Sequence, residues 1–199
     1  MKQLLISLVA GAFVLASGTV EAQQKSQRIR GTISAFDGKM LSVKSREGKD
    51  LVVELTGKAS VATAKAITLA DLKPGAYVGV TTRKGADGAL VALEVHTLPP
   101  AVKPGFRPWD LAPGTMMTNA NIASVTQGAG GHELVMKLPD GEQKIRVPSG
   151  TPIVTQVKAG RSDLKTGEYV FFNANVGADG KLTVPGRIQV SKGGVKPPQ

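Results

Sequence analysis

The sequence predicts an all-β protein made of two tandem small β-barrels joined by a Pro-rich linker, after an N-terminal signal peptide. Three observations lead there. Short β-rich runs alternate with Asp-Gly and Gly-rich turns every 8–12 residues or so, the spacing of small barrels and sandwiches. No stretch sustains an i, i+3, i+4, i+7 apolar pattern over three turns of helix. A block of residues also recurs at a fixed offset of 92 positions.

The N-terminal segment, residues 1–22, carries Lys2, then an apolar run from Leu4 to Ala16, then Val20-Glu21-Ala22. That order is the signature of an exported leader cut before Gln23, and the run is shorter than the ~20 residues a membrane span requires. The expected product is periplasmic or secreted, with no transmembrane segment after cleavage.

The first barrel is expected over residues 27–98. Arg28 to Phe36 and Met40 to Ser45 are joined through Asp37-Gly38, where both residues tolerate the turn geometry of a tight hairpin. Asp50 to Leu55 follows Glu47-Gly48, and Val61 to Thr63 is a weaker strand. Thr68 is placed to cap a single helical turn ahead of Asp71. Tyr77 to Thr82 and Leu90 to Thr97 close the unit through Gly85-Ala-Asp-Gly88.

Residues 99–115 hold Pro99, Pro100, Pro104, Pro108 and Pro113. Proline fixes φ and donates no hydrogen bond, so this segment reads as an extended connector rather than a strand. The second barrel, residues 116–190, repeats the plan with strands Asn121–Thr126, Glu133–Leu138, Gln143–Val147, Ile153–Val157, Tyr169–Val176 and Leu182–Val190, and turns at Asp140-Gly141 and Asp179-Gly180. Residues 191–199 read as a flexible basic tail.

The repeat is densest between residues 71–90 and 163–182. Asp71, Leu72, Lys73, Gly75, Tyr77, Val78, Gly85, Ala86, Asp87, Gly88 and Leu90 each recur 92 positions later, eleven of twenty. Self-similarity of that density marks a duplicated structural unit. The run Gly31-Thr-Ile-Ser-Ala-Phe-Asp-Gly-Lys-Met-Leu-Ser-Val43, followed by Asp71-Leu-Lys-Pro-Gly-Ala-Tyr-Val-Gly-Val80 and the Gly-Ala-Asp-Gly hairpin, resembles a widespread family of small secreted bacterial domains of unknown function. The resemblance covers Arg28 to Leu98 well and Asn121 to Val190 less well, where Gln127-Gly-Ala-Gly-Gly131 replaces the early Asp-Gly turn. It implies OB-like barrels and brings no catalytic residues.

Composition narrows the chemistry. The chain has 199 residues, no Cys, 2 His, 1 Trp and a formal net charge of +10. Without Cys there are no disulfides, thiolate nucleophiles or Cys-ligated metals. Neither a G-x-S-x-G elbow, an S-x-x-K motif nor a phosphate-binding P-loop is present. Acidic residues fall mostly in turns, where Asp serves the backbone. No cofactor is expected, and the protein reads as a non-catalytic binding or scaffolding module of the cell envelope. Its excess positive charge is spread along the chain, which argues against a nucleic-acid groove and for attraction to an anionic envelope surface or an envelope protein.

Two sets of residues stand out. Phe106, Arg107 and Trp109 lie in the Pro-rich connector, either packed on the barrels or held out as a partner-binding anchor, since Trp and Arg are favoured at interface hot spots. His96 and His132 are the two imidazoles available to the alternative reading, a periplasmic small-ligand or metal-binding protein with its site between the barrels. Their spacing matches no metal motif. Tyr77 and Tyr169, matched across the repeat, are expected in the core.

Overall fold

The computed structural model describes residues 25–128 and 130–199, so the leader expected over residues 1–22 lies outside the described residues. The chain is all-β. Its strands are β1 Ser26–Phe36, β2 Met40–Ser45, β3 Asp50–Leu55, β4 Ser60–Ala66, β5 Tyr77–Lys84, β6 Leu90–Thr97 and β7 Gly105–Pro108, then β8 Met116–Gly128, β9 Gly131–Leu138, β10 Gly141–Pro148, β11 Ile153–Ala159, β12 Tyr169–Val176, β13 Leu182–Val184 and β14 Arg187–Val190. No helix among the described residues is long and apolar enough to cross a membrane.

The local signals form as their chemistry dictates. Asp37 Oδ1 accepts hydrogen bonds from the amides of Lys39 and Met40 and so closes the β1–β2 turn. Asp71 accepts from the Thr68 amide at 2.8 Å, and Asp163 from the Gly160 amide at 3.0 Å, each at a single 3₁₀ turn. The strand expected over Leu182–Val190 breaks at Pro185-Gly186 into β13 and β14, because proline cannot donate to the ladder.

Long-range pairing departs from the expected plan. β1, β2 and β3 form an antiparallel meander, closed into a five-strand ring by β12, antiparallel to β1, and by β13, parallel to β3. β8, β9 and β10 form a second meander, and β5, antiparallel to β8, and β6, parallel to β10, pair around it. Neither ring closes within the spans 27–98 or 116–190 expected of two successive barrels. Each takes its meander from one span and its closing strands from the other.

The cores follow the pairing. Ile29, Ile33, Leu41 and Val53 pack with Phe172 and Ile188 in one cluster. Val78, Val80 and Val95 pack with Ile122, Leu134 and Met136 in the other. Full burial of such a side chain contributes roughly 1.5–3 kcal/mol, so each half of the sequence stabilises the other.

The crossover runs through β4 and β11, which pair antiparallel from Val61↔Ala159 to Ala66↔Val154. Within this ladder Ala64 faces Gln156, the residue 92 positions further along. A pair whose members occupy the same place in the two stretches must sit on a local two-fold axis. Having followed β4 out of the first ring, the chain reaches β5 on the far side of that axis.

Two further expectations are corrected. The connector 99–115 contains a strand, β7, whose residues Gly105 to Pro108 pair with Asn119 to Met116. β7 pairs only with β8, and the prolines are tolerated there because an edge strand need not donate on both sides. The tail 191–199 is not loose. Its Pro197 and Pro198 are buried, and Gln199 is bonded to three separate elements.

Candidate functional site: a cleft between the two rings

A cleft of about 610 Å³ opens where the two rings meet. From the first ring come Arg28 on β1 and Phe171, Asn173 and Asn175 on β12. From the second come His96 on β6 and Met117 and Asn119 on β8. β11 adds Gln156, β14 adds Gln189, and the connector adds Arg107 and Trp109. Alternation along β12 brings residues 171, 173 and 175 to one face, as a period of two requires.

The lining is electrostatically one-sided. It includes the guanidinium groups of Arg28, Arg107 and Arg187 and no carboxylate or ammonium side chain. Arg28 is partly neutralised from behind by Asp110 at 3.1 Å and lies over the Trp109 ring, 4.3 Å from its centroid. Arg187 donates to Gln156 Oε1 at 2.6 Å. Among the described residues Arg107 makes no ion pair or side-chain hydrogen bond. Side-chain amides of five Asn and Gln residues besides Gln199 complete the polar surface.

Behind the lining lies a buried polar layer. Arg30, 4% exposed, donates to Asp110 at 2.9 Å and stacks over Phe171 at 4.6 Å, while its Nε has no partner. The two guanidinium groups of Arg30 and Arg28 hold the Asp110 carboxyl below the usual range against the opposing effect of burial. On the other side, Glu94 accepts hydrogen bonds from Thr81 Oγ1 and the Gln199 amide. Burial pushes its pKa up to about 7. His96 Nδ1 lies 3.7 Å from Glu94 Oε1 without a hydrogen bond, and burial pushes this imidazole down to about 4, so it is neutral at physiological pH.

His96 fits because of a glycine. Its ring covers Gly79 across the β5–β6 ladder, and a Cβ at Gly79 would meet His96 Nε2 at 2.5 Å. Gly79 is the position the offset relates to Phe171.

Of the residues singled out from the sequence, the cleft gathers His96, Arg107 and Trp109. Phe106 stays outside, 43% exposed. His132 sits on β9 opposite Gln127 and Val147 and does not line the cleft. Among the described residues no group of three His, Asp or Glu side chains could share a metal ion. Comparisons with protein-family models, curated proteins and solved structures return no match.

Sequence reading missed Glu94, Arg28, Arg30 and Arg187. Glu94-Val-His96 did hold a signal, because residues two apart on a strand share a face. The tyrosines expected in the core are instead half-buried, their hydroxyls donating to the Val102 carbonyl at 2.7 Å and to Gln199 Oε1 at 3.1 Å.

Proposed function

We propose that this is a non-catalytic binding module of the cell envelope, exported by the leader in residues 1–22, whose ligand is a small organic anion held in the cleft between the rings. The observation carrying this reading is the lining itself, which offers three guanidinium groups, a surface of amide side chains, aromatic rings at Trp109 and Phe171, and no acidic side chain. Guanidinium forks match carboxylate and phosphate oxygens in pairs, while amides and aromatic faces suit the hydroxyls and apolar faces of an acidic sugar. The small-ligand reading is favoured over a pure scaffold because a recess of this size fits drug-sized ligands. Phe106 beside Arg107 is what a partner-docking reading would use.

The architecture belongs to the same proposal. A three-strand meander closed by a fourth strand antiparallel to the first and a fifth parallel to the third follows the order of an OB-like barrel. We read the chain as a tandem duplication of such a unit in which the two copies have exchanged their closing strands. Glu94 and His96 are the pair an enzyme would display, given their opposed shifts. Here the Glu94 oxygen that faces His96 is already occupied by Thr81 and Gln199, so we assign the pair a structural role.

The test is titration calorimetry with acidic and neutral oligosaccharides of equal length, on the intact protein and on Arg107→Ala and Arg187→Ala. Binding of the acidic series alone, weakened in both variants, supports the reading. Equal binding of both series, or none, removes it.

A further inference from the structure

The last residues of the chain are seated as a ligand would be. Gly193 and Gly194 both take positive φ, 58° and 79°, the geometry of a two-residue reversing turn. Lys192 and Val195 exchange backbone hydrogen bonds across it at 3.1 Å. Reversed in this way, the chain runs back over β12, with the Lys196 ammonium 5.6 Å from the Tyr169 ring centroid and Pro197 and Pro198 buried.

Gln199 then meets three elements at once. Its amide donates to Glu94 Oε1 on β6 at 2.8 Å, its main-chain oxygen accepts from Trp109 Nε1 at 2.8 Å, and its Oε1 accepts from the Tyr169 hydroxyl at 3.1 Å. Its Nε2 donates to the Pro197 carbonyl at 2.7 Å, which holds the segment in shape. Glu94 and Tyr169 belong to different rings, so one residue ties both together. Pro198 and Gln199 also form one wall of the cleft.

We propose that Glu94, Trp109 and Tyr169 form a peptide-binding socket for an extended Pro-Pro-Gln segment, filled in this protein by its own residues 196–199, and that this segment is a detachable latch whose departure opens the cleft. Extended prolyl peptides suit such a socket because they lose little conformational freedom on binding and present carbonyls to an indole N–H. The segment is covalently tethered, so its effective concentration is high and the seated state dominates. The Gly-Gly turn is the natural hinge. Socket and latch stand without the cleft ligand; only the gating role rests on the reading of the cleft as a binding site.

Trp109 is the one Trp of the sequence, so its fluorescence reports the socket directly, with no cleft ligand present. The experiment compares acrylamide quenching and melting of the full chain with a variant lacking residues 196–199. Removal is expected to raise Trp109 quenching and lower the melting midpoint by about 2–6 °C. Added peptide Gly-Gly-Val-Lys-Pro-Pro-Gln should reverse both saturably, and a scrambled peptide should not. Unchanged quenching on removal, or equal rescue by the scrambled peptide, overturns the proposal. Should the shortened chain fail to fold, the full chain carrying Tyr169→Phe decides instead, raised quenching supporting the socket and unchanged quenching sinking it. Titrating the acidic oligosaccharide into the shortened protein then reads the gate, with tighter binding than in the full chain expected and equal binding overturning that part.

Discussion

The two sides of the cleft solve one packing problem in opposite ways. On the β5–β6–β8 side, Gly79 pairs with His96 and with Asn119. On the β1–β12–β14 side, Phe171 pairs with Gln189 and with Arg30. In the first trio the centre has no side chain, and an imidazole leans over the space. In the second the centre is an aromatic ring, with a guanidinium stacked 4.6 Å from its centroid. Register, more than the fixed sequence offset, reveals the correspondence. The offset sets His96 beside Ile188, whereas strand pairing places it with Gln189, because the break at Pro185-Gly186 shifts the β12 ladder by two residues where the bulge between Thr81 and Thr82 shifts the β5–β6 ladder by one. Comparable space is filled, but the charge differs. One side carries a permanent cation matched by Asp110, and the other a neutral imidazole beside a carboxyl that titrates near neutrality.

That contrast can be broken most severely at Phe171. Phe171→Ala should cost about 3–5 kcal/mol, the usual range for deleting a buried ring, and strip Arg30 of its stacking partner. Urea denaturation measures it; a loss below about 1 kcal/mol would mean that the ring is not the keystone of its side.

The second largest effect is one of pH. The folded pKa of Glu94 is raised, so its contribution is complete below about 4.5 and lost as pH rises through about 7. His96 is lowered, so its contribution is complete above about 6.5 and lost as pH falls through about 4. Between about 4.5 and 6.5 the two slopes oppose, and this pair leaves stability nearly flat. Glu94→Gln should unmask the histidine, giving stability that climbs with pH by up to roughly 3 kcal/mol between pH 4 and 6.5. His96→Asn should unmask the reverse trend, a fall between pH 4.5 and 7. Urea midpoints at three pH values suffice, and parallel profiles for the two variants would refute the opposition.

Gly79→Ala comes next, at about 1–3 kcal/mol for overpacking. Most of that loss should vanish when His96→Ala is added, because the clash is specific to that ring; additive losses in the double-mutant cycle would contradict the geometry. The smallest effect is expected at Arg107, where replacement by Ala should change stability by under about 0.5 kcal/mol. A larger change in the melting curve would mark Arg107 as a structural residue and weaken its role in the cleft.

Much of the local structure was legible from residue types alone. Asp37-Gly38 and Asp179-Gly180 are turns because their side chains and backbone freedom suit no other geometry so well, whereas the turn expected at Asp140-Gly141 falls one residue earlier, with Gly141 already in β10. A single helical turn forms ahead of Asp71 as expected, held by the Asp71 carboxylate on the Thr68 amide. β7 was not legible, because prolines at 104 and 108 mask a strand that survives by pairing on one side only. Nor was the docked tail, whose partners Glu94, Trp109 and Tyr169 are 105, 90 and 30 residues away. Of the cleft, Arg107, Trp109 and His96 stood out for their rarity or setting. Arg28, Arg187 and the amides did not, since such residues are ordinary on any surface.

Sequence by itself determined the all-β character and most of the turns and strands, because those depend on neighbours a few positions apart. It could not determine which hairpin closes which meander. Residues 71–90 and 163–182 share eleven of twenty positions, so local pattern does not say which ring either of them completes. Only the course of β4 and β11 through their shared ladder resolves that choice, by carrying each half of the chain across to the other. The cleft, its three guanidinium groups and the seat for Gln199 all exist because of that crossing.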